Sequence, residues 1–362
     1  MKIAFYGSSL LSSYWNGAAT YYRGLLREMA RNGHAITFFE PDAFNRQAHR
    51  DIEPPDWCQV VVYDATPEGL AKAAAMAGAF DVVVKASGVG YCDDELMAQV
   101  FSRARPGAIR LFWDVDAPAT LSEIAQDNAH PIRAALAEID AVLTYGGGAP
   151  EVEAYRALGA AECVPVYNAL DPATHHPVER DGRFACDLAF LGNRLPDREA
   201  RVEEFFLRPA SALQGKTFIL GGAGWGDRAL PANVRWLDHV PTRDHNGLNS
   251  SALAVLNVNR DSMAANGFSP PTRVFEAAGA GACLITDAWE GVEMFLTPGE
   301  EVFVARDGAD VAAILSDLSP DRAARMGEAA LARVKRDHTY AQRAQLVDAV
   351  LSKLSERRGK AA

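Results

Sequence analysis

Two spacings of apolar residues alternate along this chain. Short β-branched and aromatic runs fall at 2–6, 35–39, 60–63, 82–85, 109–113, 142–144 and 163–166, most of them bounded by Gly, Pro or Asp. After the first run, Ala18, Tyr21, Tyr22, Leu25, Leu26 and Met29 recur at helical spacing until Gly33 stops the helix. The second half repeats the arrangement, with strands predicted over 188–191, 217–220, 254–258, 283–286 and 302–304. Helices are predicted over 198–206, 272–278, 309–315 and 321–334, and a last one over 340–354 with a frayed, solvated basic tail at 356–360. Such alternation predicts an α/β protein whose parallel sheets carry helices on both faces.

Between the halves, Val166-Tyr167-Asn168-Ala169-Leu170-Asp171-Pro172 and His175-His176-Pro177 lead into a charged stretch, the pattern of a linker. The expected organisation is a domain over 1–168, a linker over 169–183, a second domain over 184–337, and a terminal helix over 338–362 crossing back to the first. Two doubly wound domains joined in this way would face a cleft at the carboxyl ends of both sheets.

Composition narrows the function. The net charge of -11 argues against nucleic acid as a general partner, because backbone binding needs a basic face. The N-terminal run lacks the length of a signal peptide, and no apolar stretch approaches the roughly 20 residues that span a bilayer. The five cysteines are scattered without a Cys-x-x-Cys pair, which predicts reduced thiols in a cytoplasmic protein and no zinc site.

The segment 266–287 carries the strongest chemistry. Asn266, Gly267, Phe268 and Ser269 form a loop, Thr272 opens a short helix, and that helix bears Arg273 and Glu276 among small and apolar neighbours. A carboxylate in such surroundings needs donors, and the hydroxyls of a ribose supply two. The helix start and Arg273 suit a diphosphate. Further candidates sit where predicted strands end: Gly192, Asn193 and Arg194; Gly222 and Trp225 in a glycine-rich loop; and Arg260, a candidate for stabilising leaving-group charge. In the first half, Asp114 and Asp116 are alternative general bases, and Asn16 and Gly17 precede the first helix where they suit a sugar or serve as a plain N-cap. Lys85 and the Tyr145-Gly146-Gly147-Gly148 turn are placed to line the same cleft, whereas His175 and His176 read as linker residues.

In this order and spacing the residues resemble a family of known proteins. Tyr14-Trp15-Asn16-Gly17, Asn168-Ala169-Leu170-Asp171, Phe190-Leu191-Gly192-Asn193-Arg194 and, most specifically, Arg273-Val274-Phe275-Glu276-Ala277-Ala278 are similar to GT-B glycosyltransferases of the branch related to the spore-maturation protein CgeB. The resemblance implies the GT-B fold, with two Rossmann-like domains facing a central cleft. It also implies transfer of a sugar from a nucleoside diphosphate-sugar, without a metal or other cofactor, to an acceptor hydroxyl. That acceptor is a glycan, a lipid-linked sugar, a protein or a metabolite. One departure is clear: many retaining relatives carry Glu-Gly-Phe-Gly before the helix, and here the comparable loop begins with Asn266. Two rival readings keep the donor grip: a nucleotide-sugar epimerase on the same fold, and a non-catalytic nucleotide-sugar binding protein.

Overall fold

The computed structural model describes residues 1–14 and 16–361. Trp15, part of the first-loop stretch quoted above, and Ala362 lie outside the described residues, as do the side chains of Ser262, Lys360 and Ala361. The chain divides into two units, Met1–Tyr167 with Tyr340–Ala362, and Asn168–Thr339.

In the first unit seven parallel strands form one sheet: β1 (Lys2–Tyr6), β2 (Ala35–Asp42), β3 (Cys58–Asp64), β4 (Val82–Ala86), β5 (Ile109–Asp114), β6 (Ala141–Thr144) and β7 (Cys163–Pro165). Their order is β3-β2-β1-β4-β5-β6-β7, so the winding reverses between β1 and β4. Helices cover both faces, which is why Ile3, Ala4, Phe5 and Tyr6 are all buried and β1 reads as an unbroken apolar run.

The terminal helix Tyr340–Ala361 packs on the helix Ala19–Arg31. A Cβ at Gly24 would lie 2.3 Å from the Tyr340 ring, so a glycine that costs about 1 kcal/mol in a helix interior permits the contact. The expected frayed tail is instead helical to Ala361. Arg357 and Arg358 pair with Glu162 and Asp140 at 3.1 and 2.6 Å and hold it down.

The second unit repeats the plan with six parallel strands: β8 (Cys186–Leu191), β9 (Phe218–Gly221), β10 (Val234–Leu237), β11 (Ala252–Asn257), β12 (Leu284–Asp287) and β13 (Phe303–Ala305). The order β10-β9-β8-β11-β12-β13 puts the reversal between β8 and β11. Three elements escape the periodicity: the half-exposed edge strand β10 and the polar helices Thr242–Ser251 and Asp261–Asn266, none of which carries a long apolar run. The predicted helix 198–206 starts at Pro196 and, after Val202, widens into a π-type turn over Glu203–Leu207. All five cysteines are free, and among the described residues no helix is long and apolar enough to cross a membrane.

Candidate functional site

Open parallel sheets bind ligands at the carboxyl ends of strands where the order reverses. In the second unit that place lies between β8 and β11. β8 runs out into Gly192-Asn193-Arg194, and Gly192 lies under Arg198: a Cβ there would come 2.9 Å from the guanidinium and 2.8 Å from the Phe190 ring. After β9, Gly222 takes φ +125°, and any side chain on it would meet the Gly192 carbonyl at 2.4 Å. The two exit loops therefore touch through backbone. Asn193 Oδ1 accepts from the Ala223 amide at 3.0 Å. Trp225 is fully buried and its indole donates to the Gly192 carbonyl at 2.9 Å, so it supports the loop from the core side.

Four guanidiniums surround this point and differ in their partners. Arg194 is held by Glu199 at 2.8 Å and Asp227 at 2.7 Å, and these carboxylates raise its pKa. Arg260 leaves the end of β11 and donates from Nε to Asp197 at 2.5 Å. Arg198 and Arg273 have no ion pair among the described residues. Burial, followed by the charges of Arg273 and Arg260, pushes Arg198 down to about 10 against the pull of Asp197 and Asp287, and its Nε is buried without an acceptor. Arg273 is also lowered by burial, with Glu276 offsetting part of the effect. Below them Asp287 is fully buried, accepts from the Asn259 amide and pairs with Arg201 at 2.5 Å, which ties the ends of β11 and β12 together.

The Arg273-bearing helix is positioned by the loop before it. The helix Asp261–Asn266 ends at Gly267 (φ +65°), and Phe268 (φ +48°) donates its amide to the Glu290 carbonyl at 2.6 Å. The Phe268 ring covers Gly291, where a Cβ would lie 2.4 Å away. Asn266 is exposed and Ser269 buried. The helix Thr272–Gly279 follows, and Pro271 at its N-cap supplies no side-chain acceptor for the first amides.

At the far end, a Cβ on Gly279 would fall 2.2 Å from Leu170 and 3.3 Å from the His175 carbonyl. That close approach brings His175 beside Glu276. A ring nitrogen of His175, one of His245 and a Glu276 oxygen all lie within 4.8 Å of one another. His176 is exposed.

None of Arg198, His175 and His245 was read from the sequence as a site residue: Arg198 entered only within the Pro196-Asp197-Arg198 stretch of the family resemblance, and His175 as a linker residue. Arg198 had one legible signal, its place in the first turn of a helix after a glycine loop at a strand end. The histidines had none.

The first unit presents a different surface. Asp114, at the end of β5, is fully buried and accepts from Ser87 Oγ, the Asp116 amide and Thr120 Oγ1 at 2.7, 3.0 and 3.1 Å, and from the Tyr155 hydroxyl. Desolvation raises its pKa against these donors. The geometry makes it the organiser of the turn that presents the exposed Asp116.

Asp116 lines a cavity of about 310 Å³ with Lys85, Asp93, Asp94, Glu123 and His130 over an apolar floor of Met97, Phe112 and Ile132. Lys85 is buried and pairs with Asp93 at 2.6 Å. Asn16 is spent on its own loop, donating to the Ser9 and Ser12 carbonyls and accepting from Ser8, while Gly17 is exposed. Glu151 is buried under Gly147 (φ +79°), where a Cβ would collide with its carboxyl at 1.9 Å; both of its oxygens lack partners. Burial, then Asp114 and Asp116, pushes it up to about 7.

Comparison with known proteins bears on this geometry. A family profile described as "Glycosyl transferase-like" matches residues 198–349, less than half of the chain. No curated protein matches the sequence. Among solved structures, sucrose-phosphate synthase from Thermosynechococcus elongatus is 15% identical over 98% of this chain and 99% of its own, with a TM-score of 0.69. Anabaena HepE in complex with UDP and glucose is 15% identical over 98% and 100%, at 0.65. An alpha-glucosyltransferase in complex with UDP and a 13-mer DNA is 11% identical over 97% and 99%, at 0.70. Two parallel α/β sheets of seven and six strands, matched over nearly the whole length, give the chain the GT-B fold.

Proposed function

We propose that the chain is a glycosyltransferase of the CgeB-related branch, taking its sugar from a nucleoside diphosphate donor held by the second unit. The observation that carries this reading is the pair Arg198 and Arg273, two partly buried cations without an ion pair among the described residues at the reversal point of a Rossmann-like sheet. Such a pair is stabilised by an anion, and the uncapped amides of the Thr272–Gly279 helix add donors for phosphate oxygens. Glu276, four residues further into that helix than Thr272, accepts from the ribose. The profile match covers this region, and HepE and the alpha-glucosyltransferase were solved with UDP.

In the reaction, the bond between the anomeric carbon and the donor's terminal phosphate oxygen breaks, and the diphosphate keeps the electron pair. Arg198 and Arg273 offset the charge that grows there, so no metal is required in this reading. The acceptor hydroxyl bonds to the anomeric carbon and gives its proton to a base, for which Asp116, lining the first unit's cavity, is the candidate. The carboxylates around that cavity favour a neutral or cationic acceptor over DNA.

A thermal-shift panel of nucleoside diphosphates and their sugars tests the donor half, because a ligand of the native state raises the melting temperature in line with its affinity. We expect at least one diphosphate to raise it and Glu276→Ala to remove the response. A panel with no shift at all sinks the donor reading, and an unaltered response in the variant removes Glu276 from the ribose.

A further inference from the structure

We propose that Glu151 is a positioning residue for the transfer step, a buried carboxyl behind the Asp114–Asp116 turn whose negative charge strengthens Asp116 as the base. The inference rests on the transferase reading above, in which Asp116 is the candidate base, and adds a residue which that reading leaves unused.

Glu151 is the third residue of the helix Ala149–Ala157, which has Gly148 at its N-cap. A glutamate at this position commonly reaches back to the N-cap amide. Here the carboxyl lies under Gly147 instead, the residue is 7% exposed, and both oxygens are buried without a donor. The turn above it is fixed from three sides. The Tyr145 amide donates to the Asp114 carbonyl at 2.8 Å, Thr144 Oγ1 to the Gly146 carbonyl at 2.8 Å, and the Tyr167 hydroxyl to the Gly147 carbonyl.

Asp114 meets the opposite treatment. The Tyr155 hydroxyl, one turn along the Glu151 helix, donates to it, as do Ser87 and the Asp116 amide. Donors favour a charged carboxyl, and their absence favours a neutral one. Burial raises both groups, but only Asp114 has donors to oppose it. Of the two, Glu151 is therefore the one that keeps a proton longer.

The other titratable groups facing Glu151 are Asp116 after β5, Tyr155, Cys163 on β7 and Tyr167 beyond it. Burial raises Tyr155 and pushes Cys163 and Tyr167 up to about 12, so these three stay neutral where Glu151 titrates. Arg156 and Arg343 act on Cys163 and Tyr167, whereas burial, Asp114 and Asp116 all oppose charge on Glu151. Its charge develops as pH rises through about 7. A like charge nearby favours a protonated carboxyl, so ionised Glu151 helps Asp116 take the acceptor hydroxyl's proton. At lower pH that help is withdrawn.

The test has two readouts. In the first, wild type and Asp116→Asn carry glutamate labelled with ¹³C at the side-chain carboxyl and are titrated by NMR, with Glu151→Gln to assign the resonance. Electrostatic coupling is reciprocal, so removing the Asp116 charge should move the Glu151 midpoint to lower pH. An unmoved midpoint overturns the proposal.

In the second, UDP-, ADP- and GDP-glucose are offered with water as the acceptor, and cleavage is followed on either side of neutrality. Glu151→Gln should match wild type within about twofold at pH 6 and fall about three- to tenfold below it at pH 8. Glu151→Asp, which keeps a carboxylate, should recover part of that difference. An equal ratio at both pH values overturns the proposal, because a purely structural role gives that result. If no donor is cleaved although the NMR coupling is present, the transferase reading fails and takes the catalytic role with it.

Discussion

The two units share one strand order up to the sixth strand, yet different charged side chains gather at the carboxyl ends of their sheets. In the first, Asp114, Asp116 and Glu151 gather near the ends of β5 and β6; burial raises Asp114, and burial with repulsion from Asp114 and Asp116 raises Glu151. In the second, Arg198, Arg260 and Arg273 gather near the ends of β8 and β11; burial lowers both Arg198 and Arg273, and the charges of Arg273 and Arg260 add to it at Arg198. The fold supplies a place at which loops converge, and the residue types on those loops decide which charge it attracts. An anionic nucleotide suits the second unit, and an acceptor that must lose a proton suits the first.

Substitutions that reverse one side while sparing the other test this contrast. The largest expected effect is at Asp116. Asp116→Asn should lower transfer by about 10²–10⁴-fold while donor affinity stays within twofold, since it removes a base and no donor contact. Steady-state turnover beside donor titration separates the two, and a loss of affinity in step with turnover would move Asp116 to the donor side.

Next comes Arg198→Met, which should weaken diphosphate binding by about 10–100-fold. The empty protein should melt higher, because a desolvated cation facing Arg273 and Arg260 is gone. A variant that melts lower and binds as before would show that Arg198 serves the fold.

The smallest effect is read as stability, at Glu151. Its pKa in the folded state is about 7 against an ordinary 4.5, so the charged form is disfavoured by folding. The stability tied to its neutral form is fully present below about 4.5 and is lost as pH rises through 7. Glu151→Gln should therefore exceed wild type at pH 8 by up to about 3 kcal/mol and gain little at pH 4. Urea unfolding at both pH values checks this, and an equal difference at each would mean that ionisation plays no part.

Much of the scaffold was legible in the sequence. Apolar runs in strands buried on both faces, such as Ile3–Tyr6 and Ala254–Leu256, were visible because each residue contributes to the core wherever its neighbours go. The polar edge strand β10 and the helix Asp261–Asn266 were not, since neither buries a continuous apolar face. At the candidate site, Arg273 and Glu276 stood out because one short helix carries both. Arg194 and Arg198 look equally suited in sequence, and only their surroundings tell them apart: Glu199 and Asp227 pair with the first, and among the described residues no carboxylate forms an ion pair with the second.

The sequence by itself determined the two parallel sheets and the small-residue helix with its arginine and glutamate, because periodicity and side-chain size act locally. Tertiary structure alone decided which guanidiniums lack a counter-ion, that Asp114 is buried under four donors, and that His175 and His245 meet at Glu276. Desolvation and proton sharing depend on groups that the chain brings together from distant loops, and no local pattern records that meeting.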